Sequence, residues 1–282
     1  TSINLGVQEF CVVLYSKIIN YVYFGTSAAN QNGFRFRNIT SMYNDGSFTT
    51  AMKNGDFSNI HVGDYIVKDI TIDGTKYSGH IDVIVDLDPY YGKYNPALNN
   101  GSGGYINQHH VGIIPYNRLG TAVRMNSTNT TTGGFHGSEM YTTTLPKYLT
   151  AYRNAYGSSH FLQFGNLISN ASDANIVSPG CGSWRGGSTG WDWYATYITL
   201  MSEVQVYGSA VWSGGYDIGE ACTHLRGFAL YPALQNYQNT DFWLRGVASA
   251  SDFAYSGDNG IAYTSAASQS TWFWCRPLLL LI

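Results

Sequence analysis

Apolar and polar positions alternate in several short stretches of the chain and fall into a helical spacing in only two. Asn59-Ile-His-Val-Gly-Asp-Tyr-Ile-Val67 repeats with a period of two, as a strand with one buried face does. Asp73-Gly74 separates Ile70-Thr-Ile72 from Lys76-Tyr77, and this dipeptide tolerates the positive φ angles of a two-residue turn, which predicts a β-hairpin. Ile81–Leu87 and Val111–Pro115 read as two further strands. Leu145–Tyr156 carries the helical spacing, with Leu149, Tyr152 and Ala155 on one face and Gly157 as its stop. The second helix is expected within Phe10–Phe24, where Phe10, Val13, Leu14, Ile18, Tyr21 and Val22 suit one face until Gly25 and Ser27–Gly33 break it. Ile198–Tyr207 reads as a strand, Gly227–Pro232 as a short apolar segment and Leu278–Ile282 as a buried terminal strand. Between them, residues 90–105, 126–134 and 172–195 are loops rich in Gly, Asn, Ser and Thr. With no heptads, no fixed-period repeat and no strand–helix alternation, the fold class is α+β with antiparallel sheets.

Composition narrows the class of function. Of 282 residues, 44% are hydrophobic and 15% aromatic, while only 12% are charged. The charged share is about half that of an ordinary soluble domain. The aromatic content excludes a disordered chain, so the polarity comes from hydroxyls and amides, as in β-rich extracellular or virion proteins. The net charge is −3, and the 15 Lys and Arg are scattered without a basic stripe; nucleic acid is therefore not an expected partner. Ser16, Lys17 and Asn20 interrupt the Phe10–Phe24 run, which falls short of the roughly 20 clean apolar residues of a membrane span and lacks the basic flank and cleavage site of a signal peptide. No membrane insertion is expected.

The chemistry-bearing residues form no closed set. Cys11, Cys181, Cys222 and Cys275 are far apart with no C-x-x-C pair, which argues against structural zinc and favours buried free thiols, while the even count leaves two disulfides open. Asp82, Asp86 and Asp88 alternate along one strand and so share a face, either a calcium site or, as we expect, a solvated polar surface. His109 and His110 are adjacent, point to opposite faces of a strand and cannot chelate one ion without a bulge, so they are read as structural. Cys222 with His224, and a meeting of Cys222 with Cys275, would be needed for thiol catalysis. Glu139, Glu203, Asp217 and Glu220 are scattered carboxylates. Neither G-x-S-x-G nor a phosphate loop occurs. No catalytic residue, metal or cofactor is assigned, and the chain is not expected to be an enzyme.

The second half carries an ordered series of segments: Met125–Phe135, Gly137-Ser-Glu-Met-Tyr141, Leu145-Pro146, Leu200–Gly208, Asp217-Ile-Gly219, Phe242-Trp-Leu-Arg245, Phe253-Ala254, Gly260 and Cys275-Arg-Pro277. On these the chain resembles a phage and prophage domain of unknown function from Gram-positive gut bacteria. That domain is similar to the C-type-lectin-fold variable proteins of diversity-generating retroelements and to the formylglycine-generating-enzyme fold. The resemblance covers residues 120–282 and extends weakly over 34–119 through Ile60–Tyr65 and His109–Pro115. It implies a C-type-lectin-like domain over 120–282, with antiparallel sheets and long irregular loops, preceded at 1–119 by a strand-rich attachment or oligomerisation region. Phe242–Arg245 and Cys275–Leu279 are expected on neighbouring strands.

The Trp-Leu-Arg … Arg-Pro frame also makes physical sense from the residues alone. Trp243 and Leu244 are apolar anchors, and Arg245 and Arg276 can hold carboxylates or carbonyls through paired donors. Glu139 and Glu203 are read as buried partners of arginines such as Arg245. The segment between is mostly Ala, Ser, Gly, Asp, Asn, Tyr and Thr, the composition antibody binding loops use for adaptable contact. The resemblance implies that its exposed residues bind a ligand: Ser249, Ser251, Asp252, Tyr255, Asp258, Asn259, Tyr263, Gln269, Trp272 and Phe273. Trp274-Cys275 departs from the small-then-aliphatic pair usual before Arg-Pro, so either Trp274 joins the surface or the loop register shifts by one. The expectation is a virion-surface protein (tail tip, fibre or other) that adsorbs to a host cell-surface protein or glycan. Its further partners would be other virion proteins and its own copies, a trimer being favoured. A bacterial-surface or secreted location is the alternative. A ligand-free capsid decoration is the rival function, followed by a formylglycine-generating-like or glycan-cleaving enzyme.

Overall fold

The hairpin turn at Asp73-Gly74 fixes the register of the first sheet. Both residues have positive φ, 48° and 79°, the conformation whose twist matches the flanking strands. They join β1 (Tyr65–Ile72) to β2 (Thr75–Leu87), with Ile72 opposite Thr75 and Tyr65 opposite Val83. In this computed structural model, which describes residues 33–169, 191–213 and 223–282, two short helices precede the hairpin, α1 (Thr40–Asn44) and α2 (Ser47–Asn54). After it come the small ribbon β3 (Tyr94–Asn95) and β4 (Gly104–Tyr105), then β5 (Val111–Pro115). A π-helical turn over Met140–Thr144 leads into α3 (Leu145–Tyr156). The two-stranded β6 (Phe164–Ser169) and β7 (Trp191–Thr196) precede β8 (Ile198–Leu200), α4 (Glu203–Tyr207) and α5 (Arg226–Leu230). The chain closes with β9 (Asp241–Val247), β10 (Asp252–Ser256), β11 (Ala262–Ala266), β12 (Phe273–Trp274) and β13 (Pro277–Leu281). The fold is thus mixed helix and antiparallel sheet, as the patterning predicts.

The main sheet runs β1-β2-β5-β13-β8, antiparallel throughout. Leu279 pairs with Ile113 on one side and Ile198 on the other, so the last strand is central. That position explains its unbroken apolar run. Leu279 and Leu281 face one core, which is covered by Tyr43, Phe48 and the Leu145–Tyr148–Tyr152–Tyr156 face of α3. Leu278 and Leu280 face a second core with Val206, Phe228, Leu234 and Phe242. Alternate side chains thus enter alternate cores, each leucine contributing about 1.5–3 kcal/mol on burial. The second sheet runs β11-β10-β9-β12, with β12 parallel to β9.

Several expectations are corrected here. The pairing of β13 with β5 crosses the 119/120 boundary, so residues before and after it share one sheet. Phe242–Arg245 neighbours Phe273–Trp274 on β12, while Pro277–Leu281 has already crossed into the main sheet. Residues 203–207 form helix rather than strand: Ser202 and Gln205 build a reciprocal capping box, which overrides the strand propensity of the Val residues. The buried face of α3 is Leu145, Tyr148, Ala151, Tyr152 and Tyr156, with Leu149 and Ala155 only partly buried. Residues 191–195, read as loop, belong to β7. The expected helix in Phe10–Phe24, together with Cys11, Cys181, Cys222, Asp217, Glu220 and residues 172–190, lies outside the described residues.

Candidate functional site

The frame residues are interior and hold the second sheet in place. Trp243 is fully buried and donates its indole N–H to the Val123 carbonyl at 2.9 Å. Arg245 donates to Asn166 Oδ1 at 3.0 Å, and its backbone N–H bonds the Met201 carbonyl. Arg276 donates to the carbonyls of Pro115 and Leu234. Its guanidinium lies 4.5 Å from the centre of the Tyr237 ring and 5.0 Å from that of Phe242. Burial pulls the Arg276 pKa down to about 10. The glutamates each fill only part of the role expected of them. Glu139 is half-exposed and pairs with Arg124 at 3.2 Å. Buried Glu203 accepts from the backbone N–H groups of Val211, Trp212 and Ser213.

The eleven expected ligand-binding residues separate along the β10–β11 hairpin. Asp252 pairs with Ala266 at one end and Ser256 with Ala262 at the other, about 13 Å apart at the usual rise. At the first end, Ser249, Ser251 and Asp252 form a self-satisfied turn, in which the Ser249 hydroxyl donates to Asp252 at 2.8 Å and accepts from the Ser251 and Asp252 amides. Gln269 is exposed near this end and accepts from the Thr271 hydroxyl. Asp258, Asn259, Tyr263, Trp272 and Trp274 gather at the other end, with Tyr255 between. Phe273 does not belong to the surface. It is 4% exposed, stacked on Trp243 with ring centres 4.1 Å apart and met edge-on by Tyr255 at 4.7 Å. Successive side chains of an extended segment point to opposite sides, and between exposed Trp272 and half-buried Trp274 this alternation assigns Phe273 to the core.

The far end holds a cleft of about 330 Å³ lined by Arg118, Asn239, Thr240, Asp241, Asp258, Trp272 and Trp274. Trp272 is 66% exposed. Trp274 is half-buried, with the Arg118 guanidinium over its ring at 5.6 Å. The Asp258 amide donates to Asp241 Oδ1 at 2.8 Å. Burial pushes the Asp241 carboxyl above its ordinary pKa, against the opposing pull of the Asp258 amide's hydrogen bond. Beside the cleft, Tyr263 stacks on Tyr255 at 5.6 Å and its hydroxyl accepts from Asn259 Nδ2. Exposed Trp212 donates its indole N–H to the Ala262 carbonyl, next to exposed Ile261 and Tyr263.

Arg118, Asn239, Asp241 and Trp212 were not among the expected site residues. Asp241 had a signal, since it immediately precedes the Phe-Trp-Leu-Arg frame and its polar side chain begins the strand. Arg118, distant in sequence, had none.

The remaining acidic and histidine candidates serve the core. Asp82 is buried and accepts from the Tyr152 and Tyr156 hydroxyls at 2.6 and 2.7 Å, and Asp86 is held by Arg226. A bulge between Ile84 and Asp86 breaks the shared face, and Asp88 departs at φ 53° to meet His109; the three aspartates make no solvated stripe. His110 is buried: its Nδ1 sits 2.8 Å from the Gln108 carbonyl and its Nε2 accepts from the Tyr90 amide at 3.1 Å. Burial lowers its pKa. Cys275 is a buried free thiol whose pKa burial drives well up. Among the described residues no group of three His, Cys, Asp or Glu side chains is arranged to hold a metal ion, and no helix is long and apolar enough to cross a membrane. No family model, curated protein or solved structure matches the chain.

Proposed function

We propose that the chain is a phage virion-surface protein that binds a host cell-surface ligand, with a C-type-lectin-like domain presenting the end of the second sheet. The observation that carries this reading is the set of exposed rings at that end. Tyr263 is exposed on a base of mutually touching rings, Tyr255, Phe273 and Trp243, and Trp272 stands in solvent next to Phe273 in the chain. Rings held by a packed base lose little entropy when a partner covers them, and aromatic clusters of this kind are unusual on a surface without a partner. Copies of the chain, a trimer by preference, would multiply a weak single-site affinity. The test is adsorption of the labelled protein to Gram-positive gut bacteria, compared with a Tyr263→Ala, Trp272→Ala variant. The variant is expected to lose adsorption at unchanged melting temperature; equal adsorption by both proteins defeats the reading.

A second reading, glycan cleavage, draws on the same cleft. Asp241 and Asp258 both line the cleft, joined by the Asp258 amide's bond to Asp241, and burial raises the Asp241 carboxyl pKa; glycosidases work with two carboxyl groups flanking the scissile bond. Release of reducing sugar from bacterial wall glycans, abolished in Asp241→Asn, would favour it over binding alone.

A further inference from the structure

The cleft at the end of the second sheet contains unspent chemistry. Among the described residues, the Asp258 carboxylate and the second carboxylate oxygen of Asp241 have no hydrogen-bond or ion-pair partner, because Asp241 uses only Oδ1, for the Asp258 amide. The Trp272 ring likewise has no ring or cation contact there, although it is the most exposed tryptophan of the lining. By contrast, the Trp274 ring already carries Arg118. Two carboxylates against one guanidinium leave the lining with a net charge of about −1 at neutral pH. Burial makes the Asp241 anion costly, a penalty that a cation placed beside it relieves.

The shape of the free acceptors selects among cations. A guanidinium is recognised best by two oxygens of one carboxylate side by side, which here only the exposed Asp258 offers, and a guanidinium paired there leaves Asp241 Oδ2 unanswered. An ammonium has three donors that can be aimed separately at Asp241 Oδ2 and at either oxygen of Asp258. A sugar ring would call for hydroxyl and amide partners around it; the Thr240 hydroxyl already donates to the Tyr237 carbonyl and the Asn239 side-chain oxygen is taken by Asn236, so of these two only the Asn239 amide nitrogen is left to donate. A flexible alkyl stem, unlike a polyhydroxylated ring, asks of the wall only an apolar surface, which the open indole face of Trp272 supplies.

We propose that this cleft receives a lysine side chain of a protein partner, with its ammonium hydrogen-bonded to Asp241 and Asp258 and its stem lying along Trp272. The inference rests on the reading that this end of the sheet is the binding face, and it makes the ligand a protein.

Titration of the full chain with Nα-acetyl-lysine methylamide, following tryptophan indole N–H resonances by NMR, tests it. The Trp272 resonance is expected to shift to saturation, the norleucine analogue without an ammonium to leave it in place, and Asp258→Asn to weaken the lysine response about tenfold, as loss of a charged hydrogen bond does. Asp258 is exposed, so the rest of the variant's spectrum should match the parent and report on folding. Absence of a lysine shift, an unchanged response in Asp258→Asn, or glucosamine binding at lower concentration than the lysine probe overturns the proposal. Loss of bacterial adsorption in Trp272→Ala without any lysine response rejects the lysine site and leaves the adsorption reading standing. A saturating lysine response with unaltered adsorption rejects the adsorption reading instead.

Discussion

Trp272 and Phe273 are consecutive aromatic residues with opposite expected phenotypes. Phe273 is 4% exposed, and its ring contacts both Trp243 and Tyr255. Truncation to Ala removes a buried ring and leaves a cavity between two sheets' worth of core, at a cost of about 3–5 kcal/mol. For a chain of this size each kcal/mol moves the melting temperature by about 2 °C or more, so Phe273→Ala should melt roughly 10 °C lower. Trp272 is 66% exposed with no ring partner among the described residues, so Trp272→Ala should change stability by no more than about 0.5 kcal/mol. Thermal unfolding followed by circular dichroism, run on both variants with bacterial adsorption measured in parallel, separates the roles. Trp272→Ala should keep its melting temperature and lose adsorption; Phe273→Ala should lose stability. A large destabilisation by Trp272→Ala, or a neutral Phe273→Ala, would refute the assignment of Trp272 to solvent and Phe273 to the core.

Three further outcomes are expected. Tyr152→Phe removes one of two hydroxyl donors from buried Asp82 and should cost about 1.5–3 kcal/mol in denaturant unfolding; a neutral result would mean the carboxylate is satisfied otherwise. His110 is held neutral by burial, with a folded-state pKa below its unfolded value of about 6.5. The unfolded chain therefore binds a proton first as pH falls, and stability should decline from about pH 6.5 until the folded pKa is reached. His110→Gln should flatten that decline relative to the parent, and equal slopes in the two proteins would contradict the burial argument. In native protein treated with iodoacetamide, peptide mapping should find Cys275 unmodified until denaturant is added, because its buried thiol resists ionisation.

Much of the main sheet was legible because local and long-range signals agree there. The Asp73-Gly74 hairpin, Val111–Pro115 and the helix over Leu145–Tyr156 with its Gly157 stop all coincide with observed elements. What the pattern could not supply was partnership. The central place of β13 depends on β5, more than 160 residues earlier in the chain, and nothing in Leu278–Leu281 encodes which strands flank it. The same limit explains the aspartates. Their period-two spacing predicts a shared face, but a bulge and the reach of Tyr152, Tyr156 and Arg226 turn two of them into core polar groups.

The proposed binding face shows both sides of that limit. Exposed aromatics in a Ser/Gly segment marked Tyr263 and Trp272, but composition could not tell that Phe273 turns inward. It also could not bring Arg118 and Asp241 beside Trp272. Ser249, Ser251 and Asp252 looked like adaptable polar contacts, yet the Ser249 hydroxyl, one Asp252 carboxylate oxygen and two of their amides are used within their own turn.

Adsorption of the purified chain to a panel of Gram-positive gut bacteria, with and without the Tyr263→Ala, Trp272→Ala pair, tests the account most directly. The account predicts saturable binding to at least one strain, reduced about a thousandfold by the pair (about 2 kcal/mol or more per anchor), while the melting temperatures of the two proteins agree. Binding that is equally strong in the variant, or lost only because the variant has unfolded, would contradict it.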